Sequence, residues 1–224
     1  MTRIPVPRDV RVWGAHVVGG TPVTPRDAAT VILLRDRDDG VEVLLLCRKR
    51  AMDFAPGAHV FPGGSVDPGD ADAGIEVPGD LGVPPERVRA LVGAAVRETR
   101  EECGVVLRAD TLIPWARWIT PEVSNRRFDT WFFVAAMPED QVAGAVAEAD
   151  SAQWLRPAAA LDAARAGEIT LLPPTAVTVA ELTAFSSVTE VLAQRRVIAP
   201  LMPSVVVEGG QTWLVMPEGT EYPL

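Results

Sequence analysis

The sequence predicts an α/β fold, on three observations. Two β-branched apolar runs, at 28–34 and 41–46, lie early in the chain and flank a turn ending in Asp39-Gly40. One long amphipathic segment follows at 85–103. Strand-like and helical runs then alternate toward the C-terminus. With 224 residues the chain is long for one small domain and short for two full ones, which favours one domain with appendages. The expected division is an N-terminal segment over 1–27, a central domain over 28–170, and a helical and hairpin extension over 171–224.

Each element has its own signal. Residues 1–27 read as irregular, with one short apolar patch at 12–18. The hairpin loop reads as longer than two residues, because Arg35-Asp-Arg-Asp-Asp-Gly40 is polar throughout. A short strand at 57–61 runs into a Phe61-Pro-Gly-Gly64 loop. Residues 65–84, rich in Gly, Pro and Asp, read as a surface loop. From Pro85 the apolar positions Val88, Leu91, Val92, Ala95, Val96 and Thr99 recur every three or four residues, so one helical face is apolar. Pro84 and Pro85 suit the first turn, and Gly104 suits the left-handed position that ends a helix. Further strands are expected at 115–120, 128–137 and 150–155, and a helix at 157–167. Thr178-x-x-Glu181 and Ser187-x-x-Glu190 have capping-box spacing. Residues 204–207 and 212–215, joined through Glu208-Gly-Gly210, read as a terminal hairpin.

Composition excludes several classes. A net charge of −9 disfavours nucleic acid or an anionic membrane as partner. No stretch reaches the length of an apolar membrane span, and the first residues lack a secretory apolar core. Cys47 and Cys103 make no disulfide framework, so a cytoplasmic protein with reduced thiols is expected.

The chemistry concentrates in Arg97-Glu98-Thr-Arg-Glu101-Glu102-Cys-Gly104-Val105. Glutamates at i, i+3 and i+4 share one helix face, where three carboxylates repel each other unless a cation neutralises them. Hard divalent cations take such oxygen ligands together with substrate phosphate. A solvated helix end laced with salt bridges, Arg97 to Glu101 among them, is the other reading of the same residues.

Phe61-Pro-Gly-Gly64 together with Arg-Glu-x-x-Glu-Glu-x-Gly-Val resembles the Nudix hydrolase signature, G-x5-E-x7-R-E-U-x-E-E-x-G-U with U a bulky aliphatic residue. Arg97, Glu98, Glu101, Glu102, Gly104 and Val105 match its tail in order, and Thr99 stands at an aliphatic position. The front half departs: 33 positions separate Gly64 from Arg97, 19 more than the signature has. The loop at 65–84 is then an insertion within the signature. The first signature glutamate is either replaced by Asp70 or lost. Such an insertion resembles the branch that holds coenzyme A diphosphatases. Met52-Asp-Phe-Ala-Pro-Gly57, Leu45-Leu-Cys-Arg48, Trp115-Ala-Arg-Trp118-Ile-Thr-Pro121, Arg126-Arg-Phe-Asp-Thr130 and Leu171-Leu-Pro-Pro-Thr175 agree with that branch.

The resemblance implies an α/β/α sandwich with a mixed central sheet. It implies pyrophosphate hydrolysis with Mg²⁺ or Mn²⁺ held by Glu98, Glu101 and Glu102. Arg97 would brace a signature glutamate, and Gly104 would end the helix. Glu148, six residues before Trp154, is the candidate for a further catalytic acid, against a reading as an exposed loop carboxylate. Arg48, Arg50, Gly63, Gly64 and Arg127 are candidates for substrate binding; the arginines read equally as solvated surface. His59 and the tryptophans Trp115, Trp118 and Trp131 read first as packed residues, and Asp67, Asp70 and Asp72 as loop carboxylates. The substrate expected first is coenzyme A or an acyl-coenzyme A. ADP-ribose, NADH, a nucleotide sugar or a damaged nucleotide is the alternative, and a non-catalytic nucleotide sensor the reading from another class. The extension after residue 170 covers the pocket or builds a homodimer; the sequence leaves both open.

Overall fold

The computed structural model describes residues 2–5, 22–51, 55–72, 81–144 and 149–224. The chain runs β1 (Arg3–Pro5), β2 (Arg26–Arg37), β3 (Gly40–Arg48), β4 (Ala58–Val60), β5 (Gly63–Ser65), α1 (Pro85–Cys103), β6 (Ile113–Ile119), β7 (Phe128–Ala136) and β8 (Ala149–Leu155). It continues through α2 (Pro157–Arg165), β9 (Thr170–Leu171), α3 (Pro173–Leu182), α4 (Val188–Leu192), β10 (Pro200–Leu201), β11 (Ser204–Glu208) and β12 (Gln211–Val215). Each of α1, α2 and α3 begins with proline, whose fixed φ and missing N–H suit the first turn.

The main sheet is mixed. Its order is β10-β6-β7-β2-β3-β4-β9, with β5 also on β2 and β8 also on β3. β2 runs parallel to β7 and antiparallel to β3. Alternation along the central strands fills both faces. Ile32, Leu34, Val43, Leu45, Phe132 and Val134 point to the side covered by α2, α3 and α4. Val31, Leu33, Leu44, Leu46, Trp131 and Phe133 point to the side covered by α1. A sheet buried on both faces needs a helical layer on each, and the result is the α/β/α sandwich.

Several local features differ from the sequence reading. The hairpin loop is two residues, Asp38-Asp39, because Arg35–Arg37 pair across to Gly40–Glu42 as polar strand ends. Gly63-Gly64 is not a loop but the strand β5, held antiparallel on β2 with Thr30 opposite Gly63 and Ala29 opposite Gly64. Only a residue without Cβ fits at 63, since a methyl there would overlap the Ala29 carbonyl oxygen and the Thr30 side chain. Thr178 is no cap; it lies buried inside α3, which already starts at Pro173. Ser187 does cap α4, accepting from the Glu190 amide. Within 1–27, residues 3–5 form a strand, and 12–18 lie outside the described residues.

The segment over 171–224 shares the sandwich's core. β9 pairs with β4 and β10 with β6. Val177, Leu182, Val191, Leu214 and Met216 join the cluster that contains Ile32 and Leu34. The terminal hairpin β11–β12 takes β1 as third strand, Arg3 opposite Val215. Among the described residues no helix is long and apolar enough to cross a membrane.

Candidate active site

The C-terminal half of α1 carries the candidate site residues. Its buried stripe, ending in Thr99 and Cys103, faces the sheet, which turns Glu98, Glu101 and Glu102 outward over the edge of β5. Gly104 takes φ 74° and returns its N–H to the Arg100 carbonyl at 3.0 Å, which ends the helix directly after these residues. The Gly63 N–H donates to Glu102 Oε2 at 2.8 Å. A Cβ on Gly64 would overlap the Glu98 carboxylate. The two glycines of β5 thus let one strand lie directly against two of the three glutamates.

Arg97 organises the rest. Its Nε and Nη2 donate to Asp70 Oδ1 at 2.9 Å and Oδ2 at 3.0 Å, and Nη2 also to the Ser65 carbonyl at 3.0 Å. Its Nη1 donates to Glu98 Oε1 at 2.8 Å and Glu101 Oε2 at 3.2 Å. Asp70 sits in a 3-10 turn, Asp70–Asp72, and is only 6% exposed. Burial by itself would raise its carboxyl, but the Arg97 bonds and the Asp67 amide outweigh burial and hold it below the usual carboxylate range. The Asp70 bond is also the main reason that Arg97 is pushed above its ordinary value. Asp70 is therefore the residue that pairs with the signature arginine, across the insertion, and not a solvated loop carboxylate. The turn reaches α1 because Gly93 has no side chain: a Cβ there would overlap the Asp70 carbonyl oxygen. A glycine inside an otherwise good helix was the sequence signal for this contact.

The donor set suits a hard cation, since Glu98, Glu101 and Glu102 offer carboxylate oxygens within little more than one helical turn. Arg97 and the Gly63 amide orient these oxygens, while among the described residues no three acidic, histidine or cysteine groups already converge on one point. Asp67 lies 3.7 Å from Arg97, on the arginine's side of the cluster.

Behind β5, on the face of the sheet away from α1, lies a cavity of about 180 Å³. Gly63 and Thr30 form one wall, Phe61, Trp118, Phe128 and Phe132 the apolar floor, and Leu172–Thr175 at the start of α3 the opposite wall. Arg48 lines it at the end of β3. Arg50 is exposed and outside this lining. Arg127 is buried and engaged elsewhere: it donates to the Thr120 and Val23 carbonyls at 3.0 and 2.8 Å and approaches Met202 Sδ at 3.5 Å. Its place is a clamp on three chain segments, not a phosphate contact. The sequence could not separate these arginines, because burial of a guanidinium depends on distant segments.

Glu148 and 52–54 lie outside the described residues. His59 is buried, its Nδ1 has no hydrogen-bond partner among the described residues, and burial lowers its pKa, in keeping with a packed residue. Trp115, Trp118 and Trp131 are all core residues. A second, half-buried network centred on Asp129, missed in the sequence, ties the layers together: Arg87 bonds Asp27 and Asp129, and Arg117 bonds Asp129 at 2.6 and 2.8 Å.

A mixed sheet between helical layers, with this helix laid on a glycine strand, is the Nudix fold. A solved Nudix hydrolase from Alicyclobacillus acidocaldarius superposes with a TM-score of 0.67 at 26% identity, covering 78% of this chain and 98% of that one. A protein of Caenorhabditis elegans named as a nudix hydrolase is 30% identical over 207 residues, 76% of this chain and 64% of that protein. An acyl-coenzyme A diphosphatase of Homo sapiens is 26% identical over 237 residues, 68% of this chain and 63% of that one. The chain spans just under two thirds of these two relatives. It matches no protein-family model. In fold and in sequence the chain is similar to the Nudix hydrolases.

Proposed function

We propose that the chain hydrolyses the pyrophosphate linkage of a nucleoside diphosphate derivative, with coenzyme A or an acyl-coenzyme A as the substrate. The observation that carries this reading is the double role of Gly63. Its amide holds Glu102, and the same residue walls an apolar cavity. Charged chemistry and an apolar substrate arm thus meet at one residue. The likeness to an acyl-coenzyme A diphosphatase supports the same substrate class.

Glu98, Glu101 and Glu102 would hold Mg²⁺ or Mn²⁺, which supplies charge neutralisation at the phosphate oxygens and a lowered pKa for the attacking water. The protein's own part is orientation. Arg97 fixes Glu98 and Glu101, and Asp70 fixes Arg97. The Gly63 amide fixes Glu102. Glu148 is proposed as a further acid on its position in the sequence. Arg48, which lines the cavity, is proposed to attract the anionic substrate. Water forms the new P–O bond and the bridging P–O bond breaks, so coenzyme A yields 3′,5′-ADP and 4′-phosphopantetheine.

The test is product release from coenzyme A, an acyl-coenzyme A, NADH, ADP-ribose and a nucleoside triphosphate with either metal. Glu102→Gln serves as control. Cleavage of coenzyme A by the native protein alone upholds the reading. Cleavage of another member only moves the substrate class. Binding without cleavage, equal in both proteins, identifies a nucleotide sensor.

A further inference from the structure

We infer that the cavity behind β5 holds the branched pantoyl segment next to the phosphate of a coenzyme A substrate, so that the enzyme selects the pantetheine arm and is indifferent to the acyl group. The inference rests on the proposed coenzyme A reading and goes beyond it by naming the recognised part.

Size is the first argument. Whole-ligand pockets measure about 300–1,000 Å³, while this cavity is about 180 Å³. An apolar cavity of about 150 Å³ accepts a benzene ring, so this one takes an arm of roughly six to eight heavy atoms. That is the size of the pantoyl unit, a four-carbon chain with two methyl branches.

Position is the second. The cavity shares Gly63 with Glu102, so it begins one residue from the carboxylates. The group lodged there is the one bonded directly to phosphate. A terminal acyl chain lies at the far end of the pantetheine arm and does not reach that far back.

Chemistry is the third. The lining is aromatic and aliphatic, with hydroxyls from Thr30, Thr120, Thr130 and Thr175. A gem-dimethyl carbon flanked by a hydroxyl and an amide carbonyl fits such a wall. The ribose that NADH or ADP-ribose carries in this position is polar all round and does not.

The experiment measures kcat/KM for coenzyme A and for its acetyl, hexanoyl and palmitoyl esters, against ADP-ribose. It also measures 4′-phosphopantetheine binding to the native protein and to Thr130→Phe, which narrows the cavity because Thr130 lines it and pairs with Trp118 on the same face. The four coenzyme A substrates are expected to agree within about fourfold, the worth of one buried methylene. Thr130→Phe is expected to cut the ratio of coenzyme A to ADP-ribose turnover, and 4′-phosphopantetheine affinity, by roughly tenfold or more. Its thermal midpoint guards against misfolding. A steady rise in kcat/KM with acyl length overturns the inference, because the chain and not the pantoyl unit then fills the cavity. Unchanged 4′-phosphopantetheine binding in a folded Thr130→Phe overturns it as well. If the native protein cleaves no member of the panel, the proposed activity fails, and the binding comparison still decides the cavity's occupant.

Discussion

The carboxylate of Asp70 and the guanidinium of Arg97 meet through two hydrogen bonds, of 2.9 and 3.0 Å, between residues 27 positions apart. The same guanidinium reaches Glu98 and Glu101. One buried aspartate thereby sets two site carboxylates without touching them.

Asp70→Asn removes the charge and keeps the shape. Hydrogen bonds to charged groups contribute about 1.5–3 kcal/mol, so a stability loss of that order is expected in urea unfolding. Glu98 and Glu101 lose their fixed partner as Arg97 loosens. The expected kinetic signature is a fall in kcat with KM little changed.

Gly64→Ala separates geometry from stability. The added methyl falls on the Glu98 carboxylate, which is the end of a flexible side chain and can turn away. Unfolding free energy is expected to change by less than about 1 kcal/mol. Turnover is expected to drop about 100-fold, the effect of an ångström-scale misplacement of a catalytic group. Equal losses in both would contradict this assignment.

Gly93→Ala reverses an ordinary rule. Alanine in place of glycine inside a helix usually adds up to about 1 kcal/mol. Here the methyl meets the Asp70 carbonyl and its backbone, which cannot rotate aside. Overpacking of this kind costs about 1–3 kcal/mol, and calorimetry should show a lowered melting temperature.

Acid should expose the same network. Asp70 and Asp129 are both held below the usual carboxylate range, Asp129 by Arg117 and Arg87 against the effect of its own burial. A depressed folded pKa gives stability that is complete above the unfolded value, about 3.9 for aspartate, and that is lost as pH falls through the folded one. The urea midpoint is expected to hold steady from neutrality to about pH 5 and to fall steeply below about pH 4. Asp70→Asn should flatten that fall.

The helix bearing the site was legible because local chemistry fixes both its ends: Pro84-Pro85 before it and Gly104 after it. Glu98, Glu101 and Glu102 were legible because i, i+3 and i+4 spacing admits one geometry on a helix. What escaped is long-range. Asp70 sits in a loop whose composition reads as solvent, and only the approach to Gly93 buries it. Gly63-Gly64 reads as a loop because glycine is poor in strands, yet here β2 excludes a side chain at 63 and the Glu98 carboxylate one at 64. Arg126 and Arg127 are neighbours in sequence. Arg127 alone is drawn inside, by carbonyls at 23 and 120 that no local pattern announces.

The unequal composition of the two faces orders assembly during synthesis. The layer under α1 is built from residues that precede 155 among the central strands. The opposite layer, which holds Ile32 and Leu34, draws on later segments, from Ala160 in α2 to Leu214 and Met216. A nascent chain therefore has the strands and α1 of one side of its sheet before α2, α3 and α4 emerge to cover the other. Throughout that interval, the residues that will wall the cavity are an uncovered apolar surface.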